Sequence, residues 1–358
     1  MKFFLAFIFC ISLSLLSEDQ EDHMPMEMDH TMNHAMKHHS TPIGVTGNMH
    51  HMGWMFAIKQ GSMSMSGNIL EGESISVQDI LQRPNQVAIS PNNLSVIPKE
   101  MDMNMTMIEA MYAPSKDLTF MIMGTYLSKD MSLETYSTMM DRDLIGNFNT
   151  STGDLSDVTI SALFTIGNFD NSKWHGEISL QQSIGSNNHR GEVLTPMGSY
   201  MNMVLPYAMQ TSDKATRLVL GVTNTKSIND KTTFSNQIRY KKTISEKDWS
   251  YGDQIELNSW LQYQYRPNLS LSTRIKFTNQ DSIFGLNSMI VAPVQTANPK
   301  NYGGNELHLG LGANYKIDLF SNESEKIAIE LLFPLIQDKN NLQMKTNYQL
   351  ILGYQRSF

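Results

Sequence analysis

Cysteine is almost missing from this chain. Cys10 is the only one among 358 residues, and it lies in the first apolar stretch. Disulfides therefore do not hold the body together. Phe9 stands where a lipoprotein signal needs a small residue, so lipidation of Cys10 is not expected. Long hydrophobic runs are equally scarce. Past Leu16 none approaches the ~20 apolar residues of a spanning helix, so any passage through a membrane must be made of strands. Charged residues supply 17% of the chain, and the net charge of −8 argues against nucleic acid as a partner. No Gly-x-Ser-x-Gly or comparable context marks a nucleophile, which makes an outer-membrane hydrolase the weakest functional reading and a non-enzyme the expectation.

What is present falls into three parts. Met1-Lys2 followed by Phe3 to Leu16 reads as a signal peptide, residues 1–17. Residues 18–52 read as a flexible tail rich in His and Met. Of ten His in the chain, seven precede residue 52, and Met reaches 27 residues overall, several times ordinary usage. The remainder, 53–358, alternates apolar and polar residues with the period of a strand.

Period-two alternation places twelve strands near 53–66, 101–113, 117–128, 155–167, 173–185, 215–227, 231–243, 253–266, 268–279, 305–319, 325–337 and 343–358. The connections alternate between short turns and longer loops, the longer ones at 67–100, 129–154, 186–214, 244–252, 280–304 and 338–342. That rhythm predicts an all-β fold: a closed antiparallel transmembrane β-barrel of about twelve strands in the bacterial outer membrane, with both termini in the periplasm. Its lipid face carries Tyr112, Tyr126, Tyr265, Tyr315 and Tyr354 near strand ends, as an aromatic girdle requires. The last strand ends on Phe358, the terminal aromatic that the outer-membrane assembly machinery is expected to recognise. Loop 67–100, with Pro84, Pro91 and Pro98, is a candidate plug.

The methionines carry the functional signal. Met101, Met103, Met105 and Met107 share a parity with Glu109 and Met111, while Ile108, Ala110 and Tyr112 take the other. Met121 and Met123 join Thr119 and Thr125, and Met55, Met63 and Met65 join Lys59. Were these methionines lipid-facing, they would share the apolar parity. A thioether sector facing the lumen suits Cu(I) or Ag(I), because soft sulfur donors prefer soft cations; imidazole suits Cu(II). The tail offers both donor types through His23, Met24, Met26, Met28, His30, His34, Met36, His38, His39, His50 and His51. Packing of an irregular lumen by adaptable Met is the competing reading. Among charged positions, Arg239, Lys241, Arg274 and Lys276 with Glu256 and Arg266 are expected either to set charge selectivity or to pair across the wall.

Several segments carry a family resemblance. Gly53-Trp-Met-Phe56, Met63-Ser-Met65, the run from Met101 to Leu118, Met121-Ile-Met123, Gly153-Asp-Leu-Ser-Asp157, Leu205-Pro-Tyr-Ala-Met-Gln210 and Tyr251-Gly-Asp253 resemble the outer-membrane transporters of the phenol meta-degradation-pathway (MetA-type) family. The resemblance spans roughly 50–358. It implies an outer-membrane barrel and a transport role, and supplies no catalytic residues. The expected function is a channel for a small solute or soft metal ion, with copper gathered by the tail. The alternative is a barrel that sequesters copper without transport.

Overall fold

The computed structural model describes residues 41–358, apart from positions 50, 89, 140, 170, 171, 246 and 318–323. Twelve strands form the wall: β1 Gly53–Leu70, β2 Val96–Ser115, β3 Leu118–Tyr136, β4 Leu144–Phe169, β5 Ser172–Ser183, β6 Thr216–Asn229, β7 Thr232–Ser245, β8 Gln254–Arg266, β9 Leu269–Gln280, β10 Gly304–Ile317, β11 Ser324–Lys339 and β12 Leu342–Ser357. Each pairs antiparallel with its sequence neighbours, and β12 returns to β1, so the sheet closes. A two-residue ribbon, Glu73–Ser74, is appended to the top of β1. Closure leaves no backbone edge facing lipid, which the hydrocarbon demands of any spanning sheet.

All twelve predicted strands are present, but β2 to β4 are much longer than their sequence pattern suggested. The span expected as loop 129–154 is mostly strand, since β3 runs to Tyr136 and β4 begins at Leu144. The reason lies on the outer face. At the lower end it carries Trp54, Phe56, Ile58, Ile108, Phe120, Ile122 and Tyr126, all exposed. Above Tyr126 it turns polar, with Ser128 and Asp130 on β3 and Asn104 and Asp102 on β2. A strand needs only ~10 residues to cross the bilayer. The extra length of β2 to β4 therefore stands in water, where the lipid-facing alternation no longer applies and the pattern fades.

Several charge pairs form on the lumen face, while Lys241, Lys316 and Lys326 have no ion pair among the described residues. Arg239 makes two hydrogen bonds to Glu177, at 2.9 and 2.8 Å, and Arg274 makes two to Glu330, at 2.7 and 2.9 Å. Lys276 meets Glu256 at 3.1 Å and Lys59 meets Glu109 at 2.9 Å. The first two pairs share a device. Glu177 and Arg239 flank Gly221 in register, and Arg274 flanks Gly310 on the strand that separates it from Glu330. A Cβ at Gly310 would come within 2.9 Å of Glu330 Oε1. Glycine on the middle strand lets a charge pair bridge across it.

Two further layers finish the barrel. Residues 41–49, counted with the tail in the sequence, lie inside the lower lumen and contact several strands at once. The loops at the other mouth fold inward as a lid. Its core contains Leu194, Leu205, Tyr207, Met209, Trp249 and Ile290, all buried. Loop 71–95, the candidate plug, instead packs beside this lid through helix α1, Val77–Leu81, whose Ile80 and Leu81 join Leu94 and Leu342.

Candidate functional site: a thioether chamber beneath the lid

Strand register decides where the methionines go. Met63 stands opposite Met103, and Met65 opposite Met101, which in turn faces Met131 on β3. Directly opposed side chains in an antiparallel pair have Cβ atoms ~5 Å apart, so each row sets its methionine side chains next to one another. Met101 and Met131 are buried; Met63, Met65 and Met103 are partly accessible from the lumen. A bulge between Ser64 and Met65 on the β12 side turns β1 so that Met344 joins them.

All of these except Met131 line one cavity of about 340 Å³. Met63, Met65, Met101, Met103 and Met344 form its sulfur wall, and Tyr251, Tyr302, Lys129, Glu306 and Asp281 face it from the lid and the other strands. The tyrosine hydroxyls are engaged, Tyr251 donating to Tyr207 O at 2.8 Å and Tyr302 to Thr296 O at 2.7 Å. Lys129, beside Met103 in register terms, is spent on the lid: its Nζ donates to Ala208 O at 2.8 Å and Gln210 O at 2.6 Å. A second anchor is Asp213, which accepts from Arg217 and from the amides of Tyr251 and Ala215 at 2.8 and 3.1 Å. Burial opposes ionisation of Asp213, but the Arg217 hydrogen bond and charge, with those amides, hold its pKa below the usual carboxylate range.

The remaining predicted residues divide. Met105, Met107 and Met123 face the lumen lower down, on the predicted side of their strands. Met121 lies lower still, in a buried cluster with Met49, Met55 and Met111. His51 is half-buried at the lower end, its ring against Met52 O at 3.1 Å. His23, Met24, Met26, Met28, His30, His34, Met36, His38, His39 and His50 lie outside the described residues. Among the described residues no group of three or more His, Cys, Asp or Glu is placed to hold a metal, so any donor set here rests on sulfur. Sequence reading missed Met344, Met131 and the lid. Met344 sits on the buried parity of β12, a signal that was legible; the lid depends on loop packing, which carries no period.

The lone histidines behave as structural groups. His189 is in the lid, held to Thr211 Oγ1 at 2.8 Å, and burial lowers its pKa. His308 is buried on the lumen face 3.5 Å from Glu306.

Comparison with solved structures fits this architecture. An outer-membrane channel of Pseudomonas putida F1 is 14% identical, covers 88% of this chain and 100% of its own, and superposes with a TM-score of 0.54. The fold is that of a bacterial outer-membrane channel. A FadL homologue of Pseudomonas aeruginosa (7% identity, 86% and 90% covered, TM-score 0.39) and the toluene transporter TodX of P. putida (11%, 86% and 90%, 0.40) are more distant. No family model matches the chain, and no curated protein does.

Proposed function

We propose that the protein is a non-enzymatic outer-membrane channel for a small solute of soft character, with Cu(I)-class ions as the solute its wall fits best. The observation that carries this reading is the meeting of Met63, Met65, Met101, Met103 and Met344 on a single chamber. Thioethers are neutral, polarizable donors, and several in one wall favour a soft cation over hard ones. The His/Met tail would gather the metal in the periplasm, with imidazole taking Cu(II) and thioether Cu(I). Assignment to the MetA-type transporters, and recognition of Phe358 by the assembly machinery, belong to the same proposal.

A second reading has its own support. The lid covers one mouth and residues 41–49 occupy the other, an arrangement suited to sequestering copper without passing it. Flux separates the two. Reconstituted in vesicles, the protein should pass Ag(I), a redox-stable probe, and replacing Met63, Met65, Met101 and Met103 by Leu should abolish passage while the barrel stays folded. Binding without flux in the parent protein would favour sequestration. Unchanged flux and binding in the Leu variant would reduce the chamber to packing.

A further inference from the structure

The chamber accounts for the upper methionines only. At the opposite end of the same three strands a second group converges: Met55, Met111 and Met121 stand in one register row across β1, β2 and β3. Met49, from the segment inside the lumen, packs onto that row together with Ala113 and Leu163, and all four methionine side chains are buried, with 2 to 8% of their surface exposed. The Met49 amide donates to Thr119 Oγ1 at 3.2 Å, two residues before Met121 on the same face of β3. Four thioethers thus arrive from four separate stretches of chain.

We infer that Met49, Met55, Met111 and Met121 form a second site for a soft monovalent cation of the Cu(I) or Ag(I) class, one that ties the inner segment to the wall. Packing alone accounts poorly for this choice of residues. Leu or Ile would fill a fixed apolar space with better-defined rotamers, and four adaptable side chains in contact specify a core weakly. The Gln355 amide nitrogen also lies against the Met55 sulfur.

Access and charge both select the ion. A cavity of about 260 Å³ borders the cluster and is lined by Met49, Met55, Met111 and His51. The one carboxylate lining it, Glu109, is taken by Lys59 at 2.9 Å, and Lys316 and Lys326 line its other side. A hard divalent cation favours several carboxylate oxygens, and among the described residues lining this cavity the single carboxylate is already paired. A monovalent ion bonded mainly through sulfur tolerates that field best. Because Met49 is the only member outside the wall, occupancy would fix residues 41–49 in the lower lumen, so this site would report soft-metal availability to the conduit.

This inference rests on the reading of the upper chamber as a soft-metal path, and the test keeps the two apart. Full-length protein carrying methyl-labelled Met would be titrated with Ag(I) and followed by NMR, with signals assigned by single Met-to-Leu variants at each position. The result expected is that the Met49, Met55, Met111 and Met121 methyls shift together, and that Met49→Leu removes the shift of the other three while chamber signals still move. Shifts confined to Met63, Met65, Met101 and Met103 would overturn the second site and leave the chamber standing. Shifts in neither group would overturn both. Should Met49→Leu fail to fold, the parent titration alone decides, since its four methyls either move or do not.

Discussion

Arg274 and Glu330 meet across Gly310 and together grip one residue of the inner segment: Glu330 accepts the Gly44 amide at 3.0 Å, and Arg274 donates to the Gly44 carbonyl at 3.4 Å. Both charged side chains are about 1% exposed. Breaking such a pair from one side leaves a buried, uncompensated charge and costs about 3–5 kcal/mol. Glu330→Gln or Arg274→Ala should therefore lower barrel stability as well as free the segment, and would confuse the two effects. The paired change Arg274→Met with Glu330→Leu removes both charges, and replacing a whole ion pair by apolar groups is often near neutral. That double variant should fold like the parent and show larger single-channel conductance in a planar bilayer, because Gly44 has lost both anchors. Conductance equal to the parent's would mean the segment is held elsewhere, for example by Gln237 on Thr46 O.

The lid should respond to acid through Asp213. Its folded pKa is held down, so it contributes stability fully above the unfolded value of ~3.9 and loses it as pH falls to and through the lower folded value. Order in the lid is thus expected to persist through mildly acidic pH and to fail only below about pH 4. Trp249, buried against Tyr207 and Tyr251, is the natural reporter. With Trp54, Trp174 and Trp260 changed to Phe, quenching of Trp249 should rise only in that strongly acid range. Asp213→Asn should show the raised quenching already at neutral pH. An onset nearer pH 6 would implicate a histidine such as His189 instead.

How far these groups were foreseeable depends on whether the membrane writes a pattern. Where lipid solvates one face, alternation is enforced residue by residue, and every one of the twelve strands was legible, as was the inward side of Met63, Met101 and Met121. Above the hydrocarbon that enforcement ends, so the upper turns of β3 and β4 read as loop. Thr41 to Met49 gave no periodic signal at all, because a segment crossing a lumen meets a different strand at nearly every residue: Glu330 at Gly44, Gln237 at Thr46, Thr119 at Met49. The pairing of Arg274 with Glu330 was hidden for a related reason. It is fixed by two interstrand registers and a glycine between them, and 56 positions of sequence separate the partners.

Closure of the sheet makes the final test. The Phe358 amide donates to Trp54 O at 2.8 Å, its ring sits edge-on to Phe56 at 5.8 Å, and the Arg356 guanidinium lies 4.9 Å above it. Gly53, at φ +119°, passes so close to the Phe358 carbonyl that a Cβ there would collide with it. Yet the β1–β12 seam has 14 paired residues across two register shifts, so one terminal ring is a small part of what holds it. An aromatic pair adds only ~0.5–1.5 kcal/mol beyond its area. Deleting Phe358 should therefore slow assembly far more than it weakens the finished barrel. Folding into vesicles, followed by the mobility shift of unheated samples in gels, should show a reduced rate with a near-parental melting temperature. Gly53→Val should do more damage at equilibrium, because its strain persists after closure. A melting temperature that collapses on loss of Phe358 alone would mean the seam is far weaker than its register implies.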